Sequence, residues 1–303
     1  MKALVAGYGS IGSRHARLLT ELGCDTAVLS ARRVEFPLVF SDVGQALNDH
    51  CPDYVVLANP TSQHHGMLAR LAEAGYRGRV LVEKPLFDVV RPVPDNEFLG
   101  LSVAYNLRFH PLLQALNALL VGEEILSVQA YVGQYLPDWR PGTDYRESYS
   151  ARAGEGGGAL RDLSHELDYL GWLCGPWSAV TALGGHFSAL EIDSDDLFVL
   201  LMRTERCPAV SVQVSYLDRV VKRRVTINTG RLAVEADLVA GVLTVNGVSE
   251  SFVVERDHTY REMHRAALSG RDDTLCTLEE GRATLKLIEA AEQASRQLEW
   301  VRR

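Results

Sequence analysis

Apolar positions in the first hundred residues fall into two rhythms. Ala3 to Ala6 is an unbroken apolar run, the signature of a buried strand. Ser13 to Leu22 then has helical spacing: Ile11, Leu18, Leu19 and Leu22 share one face, and Gly23 supplies a stop. The alternation continues with a strand over Thr26 to Ser30, a short helix over Ser41 to Leu47 with Ser41 as cap, and a third buried strand over Tyr54 to Ala58. Next comes a helix carrying Met67, Leu68, Leu71 and Ala74, stopped by Gly75, and then strands over Val80 to Val82 and Leu99 to Tyr105. Strands and helices in this order predict a doubly wound parallel sheet, with ligands beyond the carboxyl ends of the strands. Pro92 and Pro94 make a long helix between Leu86 and Glu97 unfavourable.

From Pro111 the pattern changes. Pro111 opens a helix with Leu112, Leu113, Leu116, Leu119 and Leu120 inward, and Ile125 to Tyr135 alternates as a strand does. A helix is predicted from the glycines at 156–158 to about Leu173. Successive strands follow over 177–186, 196–203, 209–217, 222–229, 231–236, 239–245 and 250–254. Turns such as Asn228-Thr-Gly230 and Asn246-Gly247 make them antiparallel neighbours. Helices over Asp257 to Leu268 and Leu278 to Leu298 close the chain. The expected fold is α/β: a Rossmann-type domain over 1–109, then a domain over 110–303 built on a large, open, mainly antiparallel sheet. Such a sheet needs its outer face covered, which predicts a homodimer or homotetramer.

Composition narrows the function. The 303 residues suffice for two ordinary domains, and 47% hydrophobic content supports a substantial core. A formal charge of −8 argues against a nucleic-acid or anionic-membrane surface. No apolar run approaches the roughly 18 to 20 residues of a membrane span, and the start of the chain does not resemble a signal peptide. Five scattered cysteines without a C-x-x-C pair suit reduced thiols in a cytoplasm. His258 and His264 lack metal-ligand spacing, so no metal site is expected. Neither a Ser-His-Asp arrangement nor a Walker loop is present.

The chemistry begins at Gly7-Tyr8-Gly9-Ser10-Ile11-Gly12, a G-x-G-x-x-G between a strand and a helix. There the first glycine makes the tight turn, the second lets backbone approach a pyrophosphate, and the third lets helix and strand pack closely. Free N–H groups and the helix dipole then favour the phosphates. About 18 residues past Gly12, where an NAD-specific site carries Asp or Glu, stands Ser30-Ala31-Arg32-Arg33. Two guanidinium groups without a carboxylate suit the 2′-phosphate of NADP, which predicts NADP in preference to NAD. Asn59, Thr61 and His64 lie in the loop after the third strand, and Glu83-Lys84-Pro85 follows the next. Pro85 halts that strand and projects Lys84 at its rim, where an ammonium can polarise a carbonyl or exchange a proton.

Together these three stretches resemble the Gfo/Idh/MocA oxidoreductases, the glucose–fructose oxidoreductase and inositol dehydrogenase family. The resemblance implies a nicotinamide-binding Rossmann domain and a second α/β domain. It also implies that the E-K-P lysine works with an Asp and a His of the second domain, and that His64 is the loop histidine near the nicotinamide. The family's helix after E-K-P is missing here. Asp162 and His165 are the matching pair, three residues apart and so on one helical face, whereas the family spaces them by four. A carboxylate beside an imidazole orients it and raises its basicity, which suits a proton shuttle. Glu166 is the rival carboxylate, read as pointing outward.

Asn106, Arg108 and His110 border the passage between the domains, where the family has its active site. The segment from Tyr135 through Trp139, Arg140 and Tyr145 to Tyr149 is too long and aromatic for a simple connection. Its rings can stack on a sugar, and its arginines can hold a carboxylate or phosphate. It is similar to members of the family that act in pathways of sialic-acid-like nonulosonates. The expected activity is hydride transfer between NAD(P) and a secondary alcohol or ketone of a sugar, sugar acid or sugar nucleotide. Lys84, His165 and Asp162 are the expected catalytic groups. Two alternatives remain: an enzyme that keeps its coenzyme bound and uses transient oxidation for epimerisation or elimination, and a non-catalytic NADP-binding regulator.

Overall fold

The computed structural model describes residues 1–270 and 273–303. It opens with β1 (Lys2–Ala6), α1 (Ser10–Glu21), β2 (Asp25–Leu29), β3 (Val39–Phe40), α2 (Val43–His50), β4 (Tyr54–Leu57), α3 (His64–Glu73), β5 (Arg79–Val82) and β6 (Gly100–Val103). These six strands are all parallel, in the order β6-β5-β4-β1-β2-β3. The strand order reverses between β1 and β4, so the turn after β1 and the loop after β4 lie side by side at a topological switch point. The apolar runs of β1, β4 and β5 are buried, as a sheet covered on both faces requires. The cap of α2 is Asp42, whose carboxylate accepts from the Gln45 N–H at 2.9 Å; the sequence pointed to Ser41 one residue earlier. No helix occurs between Leu86 and Leu99, in keeping with the two prolines.

The chain continues with α4 (Pro111–Leu119), β7 (Ile125–Gly133), α5 (Ala159–Asp162), α6 (His165–Cys174), β8 (Trp177–Gly185), β9 (Leu197–Thr204), β10 (Val210–Ser215), β11 (Lys222–Thr229), β12 (Ala233–Asp237), β13 (Val242–Val245) and β14 (Val248–Ser251). They build an open sheet in the order β14-β13-β12-β11-β7-β10-β9-β8. Pairing is antiparallel except between β7 and β10, which run parallel because β10 inserts beside β7 after a β8–β9 excursion. The last strand lies two residues earlier than the alternation suggested, because a tight turn at Asn246-Gly247, both at positive φ, joins it directly to β13.

Four elements close the chain: α7 (His258–Ser269), β15 (Cys276–Thr277), α8 (Leu278–Gln297) and β16 (Val301–Arg302). β15 pairs antiparallel with β6, and β16 adds to the edge at β8. The compact units are Met1–Phe109 with Arg256–Arg282, and His110–Glu255 with Ala283–Arg303. The first unit therefore takes back a segment that the sequence assigned to the second domain. Packing explains this: α7 buries Met263, His264 and Ala267 in the core of the parallel sheet, and Arg17 and Glu21 of α1 pair with Asp257 and Arg261. Among the described residues no helix is long and apolar enough to cross a membrane.

Candidate active site

In the first unit the glycine turn has the shape its sequence implies. Gly7 has φ +102°, and a Cβ there would lie 2.5 Å from the carbonyl oxygen of Ala58. A Cβ on Gly12 would lie 2.1 Å from the Gly7 oxygen, so helix and strand touch where only glycine fits. Gly9 is different: a Cβ there would meet nothing within 4 Å. Gly9 is also the N-cap of α1, with no side-chain cap and no acidic residue in the first turn. The opening N–H groups of the helix thus face space that a diphosphate backbone can enter. The residues present fit a dinucleotide.

Tyr8 packs its ring edge-on against Phe36 at 5.7 Å and lies beside the core cluster. Ser30 ends the run of β2, and its hydroxyl accepts the Arg32 N–H at 3.2 Å. That turn presents Arg32 and Arg33 at the surface. Asn59 follows β4 with both side-chain amide atoms buried. Thr61 begins a 3-10 turn that leads into α3.

His64, the first residue of α3, is fully buried. Its Nδ1 lies 3.1 Å from the Leu86 oxygen and its Nε2 3.0 Å from the Asn59 oxygen. A neutral ring donates to one of these, and burial pulls its pKa below the usual imidazole value. His64 therefore braces the Asn59 loop against the chain after E-K-P. Glu83 is buried at the end of β5, one of its oxygens accepting the Lys84 N–H at 3.0 Å, and a cis peptide joins Lys84 to Pro85.

Asn106 and Arg108 also belong to this unit, both buried. Asn106 Nδ2 donates to Thr259 Oγ1 at 2.6 Å, and Arg108 pairs with Glu280 at 3.0 Å. His110 caps α4, its Nδ1 accepting the Leu112 N–H at 3.2 Å.

In the second unit the helix expected from the glycines to Leu173 is two helices. Asp162 is the last residue of α5, Leu163 and Ser164 form a turn, and His165 is the first residue of α6. One shared helical face therefore does not relate the pair. Asp162 is buried and accepts a hydrogen bond from Tyr216 at 2.7 Å. Burial, with the Asp162 charge, holds the Tyr216 phenol well above its ordinary pKa. Trp139 packs edge-on against Tyr216 at 5.1 Å, and Arg140 lies 5.8 Å over the Tyr149 ring. The aromatic segment thus gathers around Asp162. Tyr135 lies beneath the Arg219 guanidinium at 3.5 Å, and the Tyr145 hydroxyl accepts the Glu191 N–H at 3.2 Å.

Glu166, read from sequence as outward, is fully buried and paired with Arg223 at 2.9 Å. The α5–α6 break rotates α6 relative to a continuous helix, and the partly exposed Arg223 beside it makes the inward carboxylate tolerable. Sequence reasoning missed Tyr216 and Asp195. Tyr216 had one signal, an aromatic hydroxyl at the end of a predicted strand. Asp195 had another, the acidic run Asp193-Ser-Asp-Asp196, whose members accept backbone N–H groups at Ala153, Leu160, Phe187 and Ser188. Among the described residues no cluster of His, Cys, Asp or Glu could hold a metal ion.

Residues 1–93 match the oxidoreductase family with an NAD-binding Rossmann fold, and residues 114–235 match the Gfo/Idh/MocA C-terminal domain. The chain belongs to the Gfo/Idh/MocA oxidoreductase family. No curated protein matches it by sequence. Among solved structures it is similar to GenD2 from gentamicin A biosynthesis in complex with NAD, with TM-score 0.81, 23% identity and coverage of 100% of this chain and 96% of that one. The WlbA dehydrogenase from Bordetella pertussis in complex with NADH and UDP-GlcNAcA gives 0.78, 21%, 100% and 98%. Levoglucosan dehydrogenase in complex with NADH and levoglucosan gives 0.83, 17%, 100% and 99%. At these identities the likeness is one of fold, and it extends over both units.

Proposed function

We propose that this oxidoreductase transfers hydride between NADP and a secondary alcohol or ketone of a sugar, sugar acid or sugar nucleotide. The observation that carries the coenzyme reading is the end of β2. Arg32 and Arg33 stand there without a carboxylate, and a 2′-phosphate accepts from guanidinium groups bidentately where a carboxylate would repel it. Support for the substrate class comes from the sugar and sugar-nucleotide complexes of the structural neighbours. Within this chain it comes from Trp139, Arg140 and Tyr149 gathered beside Asp162, which offer rings for stacking and a cation for an acidic group.

When bound, the nicotinamide supplies the hydride acceptor or donor. In the oxidising direction, the carbon loses hydrogen with its electron pair while the hydroxyl loses a proton, so a base must take that proton as the carbonyl forms. Lys84 and His165 are assigned this work. Lys84 holds its ammonium at the developing alkoxide, and His165 exchanges the proton at its imidazole. Asp162, fixed by Tyr216, is the charged partner on the segment leading into His165. Two protomers are proposed to cover each other's open sheet, as a dimer or tetramer.

The test compares dissociation constants of NADPH and NADH for wild type and Arg32→Ala, then single-turnover hydride transfer in Lys84→Ala and His165→Ala. NADPH should bind at least tenfold tighter than NADH, with Arg32→Ala removing most of the difference. Each of the other two variants should slow hydride transfer at least a hundredfold. Equal coenzyme affinities would overturn the NADP assignment; near wild-type rates in both variants would overturn the mechanism.

A further inference from the structure

Four elements of the first unit meet in a run of buried hydrogen bonds that coenzyme binding does not require. His15 on α1 is fully buried, with Nε2 2.8 Å from Oε1 of Glu83 and Nδ1 2.8 Å from Nε2 of His264 on α7. His264, also fully buried, has Nδ1 3.1 Å from the Tyr54 hydroxyl on β4. The second Glu83 oxygen holds the Lys84 N–H. Tyr260 of α7 packs edge-on to His15 at 5.6 Å and carries Arg14 on its own ring at 5.2 Å.

Donor counting fixes the direction of this run. A carboxylate only accepts, so His15 Nε2 carries the hydrogen facing Glu83. A neutral His15 then accepts at Nδ1, which requires His264 to donate from Nε2. His264 Nδ1 is left to accept from the Tyr54 hydroxyl. Every donor finds an acceptor and no ring is charged. With His15 as imidazolium the accounting fails: His264 would have to turn its hydrogen toward Tyr54, taking from the buried phenol hydrogen the acceptor this run gives it. Burial holds the His264 pKa well below the imidazole norm, in agreement with a neutral ring there.

We propose that Tyr54, His264 and His15 form a one-way hydrogen-bond chain that ends on Glu83 and thereby sets the position of Lys84 relative to the coenzyme helix. All three bond dipoles point at the carboxylate, so each polarises the next. Glu83 in turn is pinned between His15 and the Lys84 backbone, which ties α1, β4, β5 and α7 at one point. The three are positioning residues. The consequence for catalysis rests on the reading of Lys84 given above; the chain itself does not.

The experiment therefore has two arms. In the first, 15N NMR of the imidazoles is recorded on the whole protein at pH 7.5 without substrate. Both His15 and His264 should be in the Nε2–H tautomer, and Tyr54→Phe should leave both tautomers in place while shifting the His264 Nδ1 resonance, the nitrogen that loses its donor. An imidazolium at His15, or an Nδ1–H tautomer at either ring in the wild type, overturns the chain. In the second arm, Tyr54→Phe and His264→Phe are assayed for single-turnover hydride transfer at saturating coenzyme. The rate should fall about threefold to tenfold while coenzyme affinity stays unchanged, a split that general loosening of the fold would not give. Tyr54→Phe removes one oxygen only and keeps the test valid should His264→Phe fold poorly. Expected tautomers with unchanged rates would overturn the positioning role. A wild type with the expected tautomers and no hydride transfer on any sugar would overturn the proposed function and leave the chain standing.

Discussion

Asp195 shows how one partly buried carboxyl can tilt stability with pH. Burial pushes it up to about 7; the Leu160 N–H pulls the other way, and Glu292 adds to the rise. The carboxyl fits because its neighbour Gly158 has no side chain: a Cβ there would lie 2.1 Å from Asp195 Oδ1. The folded protein thus keeps this proton to a higher pH than the unfolded chain does. Stability from the group is fully present below about pH 4 and is lost as pH rises through about 7. His64 and His264 act in the opposite sense: burial lowers their pKa, so their contribution is present above about pH 6.5 and is lost as pH falls. Asp195→Asn copies the protonated form and should abolish only the alkaline loss. Urea unfolding at pH 8 should find it roughly 2–4 kcal/mol more stable than wild type, with the two alike near pH 4. A gap that did not change between those pH values would refute the assignment.

At the scale of elements, the glycine turn before α1 separates two jobs that the motif merges. Gly12 is where helix meets strand, and Gly9 is where the helix start stays open. Gly12→Ala would press a methyl group into backbone that cannot yield, so a loss of about 2–4 kcal/mol in stability is expected. Gly9 has φ −84°, within reach of any residue, and open space beyond it. Gly9→Ala should unfold within about 0.5 kcal/mol of wild type yet bind dinucleotide at least tenfold more weakly, read by calorimetry. A weaker fold with intact binding would invert the assignment. The motif was legible because strand, glycines and helix are contiguous and each residue's role is local. The break between α5 and α6 was not. Ser164, the N-cap of α6, is a single weak signal, and the bend is held by distant partners: Tyr216 on Asp162, Asp195 on the Leu160 N–H, and Arg223 on Glu166. The same holds for β3, β15 and β16, each two residues long and defined only by the strand beside it.

Across the whole molecule, local periodicity was enough to give both sheets and nearly every helix, but not the allegiance of α7. His264 lies in the amphipathic pattern of that helix, yet its partners are 249 and 210 residues away, at His15 and Tyr54, and no window of sequence connects them. The second sheet bears on the proposed dimer. Thr181, Leu201, Ser211, Gln129 and Thr226 are register partners in one row across β8, β9, β10, β7 and β11, without a charge among them. Leu201 is 51% exposed, and Leu183 in the adjoining row is 59% exposed. The opposite face is covered by helices, with α5 and α6 against β9, β10 and β7 and α4 against β12. Two copies laid face to face would remove these leucines from water, each contributing about 1–2 kcal/mol because roughly half of each side chain is already covered. Leu201→Glu costs an isolated protomer little, because the side chain is already half in solvent, but it would bury an unpaired carboxylate in the assembly. Sedimentation velocity at micromolar concentration should find a dimer or larger for the wild type and a monomer for Leu201→Glu, with unchanged far-UV circular dichroism. A wild type that sediments as a monomer would leave this face to some other partner, and an unaltered assembly in the variant would move the interface elsewhere.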